Sequence, residues 1–244
     1  MHNVICMKWG TRYDPSYVNI LASSVRRHLP VPHRFVCFTD DPVGIDPRVE
    51  TRPIAGMIHD PSKPERGWMK LSILGNGTDG LEGSALFLDL DIVILGEMTP
   101  FFEMPGEFRI IRDWNLRGGV IGNSSVFRFE LGKHEDVLRR FLDREEELRA
   151  KFRNEQAYLS MAMKEKGILD YWPEDWCLSF ERHCLRAFPA SLLLEPKRPG
   201  PETKIVVFHG YPNPHQVLGG WHNLKKLRWV RPARWINDHW NVND

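Results

Sequence analysis

The sequence predicts a single α/β domain in which a mixed, mainly parallel central sheet is flanked by helices. Three observations carry this prediction. Strand, helix and strand alternate within the first 40 residues, apolar strand-like runs recur along the chain, and amphipathic helical segments separate the later runs. The 244 residues are enough to bury a sizeable core. We expect residues 1–219 to form the domain and residues 220–244 to form a tail that packs on it.

The first three elements predict a βαβ unit. NVICMKWG (residues 3–10) reads as a strand, and Asp14 with Pro15 is typical of a helix N-terminus, where aspartate caps free N–H groups and proline fits the first turn. Apolar residues continue at helical spacing, at Tyr17, Ile20, Leu21 and Val25. HRFVCFTDDP (residues 33–42) then reads as a second strand, so the two strands are expected to be parallel.

The middle of the chain continues the alternation. Residues 42–66, rich in proline and glycine, are expected to loop over the surface. GWMKLSILG (residues 67–75) predicts a short helix, and the turn NGTDG (residues 76–80) leads into a strand at SALFLDLDIVIL (residues 84–95). Further strands are expected at FRIIRD (residues 108–113), SSVFRFE (residues 124–130) and TKIVVFHG (residues 203–210).

Two helices are predicted between those last strands. KHEDVLRRFLDREEELRAKF (residues 133–152) reads as one charged amphipathic helix. Its expected inner face consists of Val137, Leu138, Phe141, Leu142 and Leu148. NEQAYLSMAMKEKG (residues 154–167) predicts a second helix, capped by Asn154 and ended by Gly167.

Bulk composition excludes several classes of protein. The formal net charge of +1 does not suggest a nucleic-acid-binding protein. Four cysteines match neither a disulfide framework nor a paired zinc motif, and we expect buried thiols in a reducing compartment. The first residues lack the pattern of a secretory signal, and no apolar run reaches the length of a membrane span. The expectation is a soluble, cytoplasmic protein.

The run SALFLDLDIVIL contains two carboxylates inside apolar sequence. Residues i and i+2 of a strand point to the same side, so Asp89 and Asp91 are expected to be close, with Leu90 between them. Two such charges raise each other's pKa unless a cation lies between them. Mn²⁺ or Mg²⁺ suits this pattern, because hard cations take carboxylate oxygens and often substrate phosphates as ligands.

Polar residues follow four of the predicted strands. They are found in the loop Lys8–Tyr13, at Asp40 and Asp41, at the aspartate pair, and at His209 with Gly210. In open α/β sheets ligands bind outside the carboxyl ends of the strands. These residues therefore predict a ligand site at one edge of the sheet.

Three explanations account for the aspartate pair. The carboxylates can cap a turn, although unpaired carboxylates are costly against apolar neighbours. FLDLDIVIL also resembles the nucleophile strand of haloacid-dehalogenase-type phosphatases, but that family's later glycine-containing acidic motif lacks a good match in ILDYWPED (residues 168–175). The third explanation is a nucleotide-sugar site, and GTR (residues 10–12) adds a minor resemblance to sugar-nucleotide pyrophosphorylases.

The third explanation is supported by a resemblance over most of the chain. WMKLSIL, LFLDLDIVIL, GNSSVFRF, NEQAYLS and VVFHGYPNPH occur in this order. The chain resembles GT-A-fold glycosyltransferases of the group that includes glycogenin and the lipopolysaccharide galactosyltransferases, which is glycosyltransferase family 8. The sequence departs from the family pattern in three places. Asn213 or His215 stands for a lysine that contacts the diphosphate, Glu155-Gln156 for Asp-Gln, and Ser125 for glycine.

The resemblance implies a role for each matching position. Metal ligands would be Asp89, Asp91 and His209. The nucleotide sugar would contact Lys8, Trp9, Thr11, Tyr13, Lys70, Leu90, Asp113, Ser124 and Gly210. The catalytic residues would be Glu155, Gln156 and Asn123, although Glu155 and Gln156 also suit a helix N-terminus, where a carboxylate complements the helix dipole.

The resemblance implies a metal-dependent glycosyltransferase that uses Mn²⁺ or Mg²⁺ and a UDP-sugar, with a glycan or lipid-linked acceptor and retention of configuration. A catalytically silent module that binds nucleotide sugar or glycan is the alternative from a different class, because the lysine of the last motif is missing. The tail combines Trp221, Trp229, Trp235 and Trp240 with basic residues that include Lys225 and Lys226. Packing on the domain is the favoured interpretation of this tail, and peripheral membrane contact is the other.

Overall fold

A computed structural model describes residues 1–57, 60, 62–75, 78, 80–114, 121–223 and 228–243. The strands are β1 (His2–Lys8), β2 (His33–Thr39), β3 (Glu50–Pro53), β4 (Ser84–Leu88), β5 (Ile92–Ile94), β6 (Phe108–Arg112), β7 (Gly122–Glu130), β8 (Leu169–Tyr171), β9 (Cys177–Ser179), β10 (Ile205–Val207), β11 (Trp221–Asn223) and β12 (Arg228–Val230). The predicted turn at residues 76–80 lies largely outside the described residues, as do Lys225 and Lys226.

The helices alternate with these strands. The α-helices are α1 (Pro15–His28), α2 (Pro100–Glu103), α3 (Glu135–Asp143), α4 (Glu145–Lys151), α5 (Glu155–Glu165), α6 (Ala190–Leu193), α7 (Pro214–Leu218) and α8 (Arg234–Asn237). A 3-10 helix spans Trp68–Leu74, and a π-helical turn spans Phe180–Cys184. Within the described ranges, no helix is both long and apolar enough to cross a membrane.

The central sheet confirms the predicted mixed, mainly parallel α/β architecture. Within the described residues, this sheet has seven strands in the order β3-β2-β1-β4-β7-β6-β8. The pairs β2–β3, β1–β2, β1–β4 and β6–β8 are parallel, whereas β7 runs antiparallel to β4 and β6. The parallel pairing of β1 with β2 around α1 is the predicted βαβ unit.

Strand periodicity creates two cores, one on each face of the sheet. Val4 and Cys6 of β1 belong to a core shared with α1 and the C-terminal helix α8. Ile5 and Met7, on the opposite face, belong to a core shared with the 3-10 helix, α3 and α5. Because alternate side chains of a strand point to opposite faces, a continuous apolar strand requires cover on both sides.

The predicted strand at residues 84–95 is interrupted at the aspartates. β4 ends at Leu88, and β5 begins at Ile92 in a second sheet of order β5-β10-β9. The backbone between them is held by Asp89 N–H, which donates to Ser125 O at 2.9 Å, and by Phe208 N–H, which donates to Asp91 O at 3.0 Å. The chain thus changes sheets at the aspartate pair.

Other element predictions needed correction. The helix predicted over residues 133–152 is two helices, because Arg144 leaves helical geometry (φ −135°, ψ 34°), and Leu142 is 45% exposed rather than inward. The short helix at residues 67–75 has 3-10 geometry. Part of the expected loop at residues 42–66 is the edge strand β3, which has little apolar character and pairs with β2 through its backbone.

Candidate active site

A cavity of about 1060 Å³ lies where several strands end. The parallel strands β1 and β4 end at the same edge of the sheet, and the antiparallel β7 begins there. β10 runs antiparallel to β5, so its end lies beside Asp91. Most of the predicted site residues line this cavity: Trp9, Thr11, Tyr13, Lys70, Asp89, Leu90, Asp91, Asn123, Ser124, Glu155, Gln156, His209 and Gly210.

Four predicted residues, Lys8, Asp40, Asp41 and Asp113, lie outside the cavity lining that the described residues define. Asp40 and Asp41 are exposed, and Asp40 Oδ2 accepts a hydrogen bond of 2.9 Å from Gly10 N–H. Lys8 is the last residue of β1 and is buried. Asp113 follows β6 and lines a smaller neighbouring pocket. Gln156 Nε2 nevertheless lies 3.4 Å from Asp113 Oδ2, so Asp113 contacts a residue of the cavity.

Lys70 is the cation at the centre of the site. It projects from the 3-10 helix, and its Nζ lies 2.7 Å from Asp89 Oδ1 and 3.4 Å from Ser124 Oγ. Burial by itself lowers the pKa of Lys70, but attraction to Asp89 and Glu155 outweighs burial and raises it. Lys70 therefore stays protonated and forms an ion pair with Asp89 in the cavity.

Asp91 is the more buried carboxylate of the pair. Its Oδ2 accepts a hydrogen bond of 2.7 Å from the Tyr13 hydroxyl. Burial, followed by repulsion from Asp89, raises the pKa of Asp91 to about 7. Burial beside this carboxylate also raises the pKa of Tyr13, which keeps the phenol protonated as the donor.

Glu155 is a third buried carboxylate in the same cavity. Its Oε2 accepts a hydrogen bond of 2.8 Å from Ser124 Oγ, and burial raises its pKa to about 7. Among the described residues, its Oε1 has no hydrogen-bond partner. Gly67 lies close to this carboxylate, since a Cβ at Gly67 would lie 3.2 Å from Glu155 Oε2. The φ of +83° at this position also favours glycine.

α5 brings Glu155 and Gln156 into the site. Asn154 caps this helix by accepting a hydrogen bond from Ala157 N–H at 3.3 Å, as predicted. The helix is also fixed to β7, because Gly122 N–H donates to Ser160 Oγ at 2.8 Å. The helix N-terminus therefore faces the start of β7, where Asn123 and Ser124 lie.

His209 lines the same cavity, and its two ring nitrogens lie near residues of β9 and of the π-helical turn. Its Nε2 lies 2.6 Å from Ser179 Oγ, and its Nδ1 lies 3.7 Å from Glu181 Oε2. Trp114 stacks on the imidazole, with ring centroids 5.8 Å apart. Burial lowers the pKa of His209, which keeps the ring neutral near pH 7.

Comparison with known proteins shows the fold. No family model matches the sequence, and no curated protein matches it. Among solved structures, the galactosyltransferase LgtC in complex with donor and acceptor sugar analogues has a TM-score of 0.61 and 12% identity, covering 97% of this chain and 94% of that one. The glycosyltransferase GlyE of Streptococcus pneumoniae TIGR4 has a TM-score of 0.63 and 14% identity, covering 88% and 56%. This protein has the GT-A glycosyltransferase fold.

The GT-A fold raises the question of a divalent metal. Within the described ranges, no cluster of three His, Cys, Asp or Glu side chains is placed to hold one. Two carboxylates, Asp89 and Asp91, do share the cavity, and burial followed by repulsion from Asp89 raises the pKa of Asp91, so a cation between the two would favour its charged form. The site therefore fits a metal held by two carboxylates, with substrate phosphates completing the shell. The structure brings His209 to this cavity, but its Nε2 contacts Ser179.

Several residues of the GT-A cavity were not predicted from the sequence. Arg12, Arg66 and Arg153 line it, together with Glu65 and Gly67. Arg66 and Arg153 lie on separate loops joined by a hydrogen bond of 3.0 Å from Arg66 Nη1 to Arg153 O. Arg12 lies in a loop already assigned to the site. Nothing local distinguishes Arg66 and Arg153 from solvent-exposed arginines elsewhere.

Asn213 and His215, the candidates for the position of the missing motif lysine, lie near the start of α7. His215 Nδ1 lies 2.5 Å from the Tyr17 hydroxyl, and Asn213 N–H donates to Gln216 Oε1 at 2.9 Å at the start of α7. Neither residue is part of the cavity lining as the described residues define it. Where this GT-A cavity needs positive charge, the described residues offer Lys70, Arg12, Arg66 and Arg153.

Proposed function

We propose that this protein is a metal-dependent glycosyltransferase that transfers a sugar from a nucleotide sugar, expected to be a UDP-sugar, to a glycan or lipid-linked acceptor. One observation carries the proposal. A lysine and three carboxylates, Lys70, Asp89, Asp91 and Glu155, converge in a cavity of about 1060 Å³ at the strand ends of a GT-A fold. The LgtC structure with donor and acceptor sugar analogues supports donor and acceptor sugars as the ligands.

The cavity offers chemically distinct parts for such a donor. Trp9 and Tyr13 provide aromatic surface for the base, and Lys70 with the cavity arginines provides positive charge for the diphosphate. Asp89 and Asp91 would hold Mn²⁺ or Mg²⁺. When bound, the metal supplies Lewis-acid stabilisation of the departing diphosphate.

The remaining predicted residues would act on the sugar. Asn123 and Ser124 would hydrogen-bond its hydroxyl groups, and Gln156, oriented by Asp113, would lie near the reacting carbon. Glu155 is a buried carboxyl of the cavity lining whose Oε1 has no hydrogen-bond partner among the described residues, and its pKa of about 7 would let it act toward the sugar as a hydrogen-bond donor or acceptor. Gly210 has a φ of +89°, and no atom of the described residues beyond its chain neighbours lies within 4 Å of the position that a Cβ would take, which permits close approach of a phosphate. Retention of configuration is the expectation that the family resemblance adds.

Calorimetric titration of UDP and of GDP, each with and without Mn²⁺, tests the donor site. We expect Mn²⁺-dependent UDP binding that is at least about tenfold weaker in Asp91→Asn, because one ligand charge is removed. Asp136→Asn is the matched control, since Asp136 pairs with Lys166 and is absent from the described cavity lining. Absence of binding by either nucleotide under every metal condition would overturn the proposal.

A silent binding module is the second candidate, favoured by the absence of the motif lysine at Asn213 and His215. Slow release of UDP from a UDP-sugar, in the absence of acceptor, separates the two candidates. Metal-dependent release that Asp91→Asn abolishes supports the enzyme, whereas UDP binding without release from any UDP-sugar supports the module. Release of inorganic phosphate from a simple phosphate ester would instead indicate the phosphatase alternative.

We also propose a reducing, cytoplasmic location for this activity. Cys6, Cys37, Cys177 and Cys184 are all buried free thiols. Burial raises the pKa of Cys184 to about 12, so this thiol remains protonated and unreactive. Thiols of this kind are typical of proteins in a reducing compartment.

A further inference from the structure

Residues 185–196 form an excursion from the domain whose two ends are tied together. Lys197 N–H donates to Cys184 O at 2.8 Å, and Arg186 Nε donates to Glu195 O at 2.7 Å. The excursion contains the single-turn helix α6. It is anchored to the tail through the Trp235 indole N–H, which lies 3.3 Å from Pro196 O. We call residues 185–196 the lobe.

The lobe exposes large apolar side chains. Phe188 is 65% exposed, and the run Leu192, Leu193 and Leu194 is 39%, 81% and 50% exposed. The Phe188 ring also lies beside the half-buried Trp229 of β12, with centroids 6.1 Å apart. Single exposed apolar residues are ordinary, but a contiguous group of this kind marks an interaction surface.

Basic residues flank this apolar group. Residues 180–198 and 228–234 together carry seven Lys and Arg residues and two Glu residues, a net charge of +5, whereas the whole chain carries +1. Five of the seven are exposed: Arg182, Lys197, Arg198, Arg231 and Arg234. Glu181, one of the two acidic residues, is paired with Arg228 at 2.6 Å. The charge available to a partner is therefore strongly positive.

We propose that the lobe and its basic flank dock on the surface of an anionic lipid bilayer. Leucine and phenylalanine side chains enter the boundary between head groups and acyl chains, while Lys and Arg contact anionic head groups. The net charge of +5 complements an anionic head-group surface, which attracts each nearby Lys or Arg by about 1 kcal/mol. The lobe leaves the domain just after Ser179 and Glu181, the residues that contact His209, so docking would hold the cavity near a lipid-linked acceptor.

Vesicle flotation of the full chain tests the proposal. We expect binding to vesicles of phosphatidylcholine and phosphatidylglycerol in equal parts, and little binding to phosphatidylcholine alone. Leu193→Glu should weaken the binding by at least about tenfold, because a charge replaces the most exposed apolar side chain of the lobe. Val43→Glu is the matched control, since Val43 is 74% exposed in the loop between β2 and β3.

A second pair of variants tests the charge. Arg198→Glu should weaken binding roughly tenfold and reduce its dependence on salt, whereas Arg139→Glu, at an exposed position of α3, should leave it unchanged. Unaltered circular dichroism and UDP titration show that the variants are folded and that lipid docking is separate from the donor site. Absence of flotation with either vesicle, equal flotation of Leu193→Glu, or a dimer that Leu193→Glu converts to monomer would overturn the proposal.

Discussion

At the scale of single residues, the cavity is built around an excess of buried negative charge. Asp89, Asp91 and Glu155 lie near Lys70, whose Nζ contacts Asp89 directly. Removal of carboxylates from water favours their neutral form, and the effect is strongest for Asp91 and Glu155. Buried carboxylates of this kind are stabilised when a further cation or a hydrogen-bonding ligand enters the site.

The burial of Glu155 predicts a pH dependence of stability. Burial raises the pKa of Glu155 to about 7 from the 4.5 of an ordinary glutamate, so the folded state binds more protons than the unfolded state between these values. The stabilisation is complete below about pH 4 and is lost as the pH rises to about 7. In Glu155→Gln we expect urea unfolding to lose a pH-dependent contribution on the order of 2–3 kcal/mol.

Urea midpoints at pH 5 and pH 8 measure this difference for the wild type and the variant. Glu165→Gln serves as the control, because Glu165 also lies in α5 and is an exposed partner of Arg140. An unchanged slope of stability against pH in Glu155→Gln would show that Glu155 does not retain its proton in the folded protein.

At the scale of elements, α5 determines where the predicted catalytic residues lie. Glu155 and Gln156 are its first two residues, immediately after the cap Asn154. The helix ends at Glu165, before the edge strand β8, and its Ser160 Oγ accepts a hydrogen bond from Gly122 N–H of β7. A shift at the N-terminus of this helix would therefore move both side chains relative to Ser124 and Asp113.

The N-cap Asn154 of α5 is expected to contribute measurably to the free energy of unfolding. Asn154→Ala removes the acceptor for Ala157 N–H and should lower the free energy of unfolding by about 1 kcal/mol. Asn154→Ser should largely restore it, because serine also caps helices well. Asp14→Ala removes the corresponding cap of α1 and should give a loss of similar size in urea titration. Equal stability of Asn154→Ala and the wild type would mean that the cap contributes nothing.

At the scale of the whole molecule, the tail is part of the main core. Trp235, Ile236 and Trp240 are buried in the same core as β1 and α1. Arg27 of α1 also donates to His239 O at 2.8 Å. These contacts join residues more than 200 positions apart in the sequence.

We predict that the tail and the domain unfold together. Trp235→Ala should destabilise the protein by about 3 kcal/mol, because it leaves a large cavity, and unfolding should remain a single transition. Trp229→Ala should cost less, since Trp229 is only half-buried. Thermal unfolding followed by calorimetry measures both effects. Two separated transitions would show that the tail is an independent unit.

Much of the fold was predictable because the signals are local. The Asp14-Pro15 start of α1, the Asn154 cap of α5 and the continuous apolar strands each depend on neighbours in the sequence. The strands β3 and β8 were not predicted, since they are short and exist through pairing with β2 and β6. The break at Arg144 was also missed, because the apolar spacing on either side of it fits one continuous helix.

The sequence alone determined the chemistry of the site: two aspartates at the end of a buried strand, a lysine in a short helix, and a carboxylate beside a helix cap. Only the tertiary structure decided which of these groups meet, because the distances depend on strand pairing across the sheet. It placed Asp91 at a change of sheet beside β10, added Arg66 and Arg153 to the cavity, and turned His209 toward Ser179. Periodicity and caps act over a few residues, whereas burial and the pKa values that follow from it depend on contacts between segments far apart in the chain.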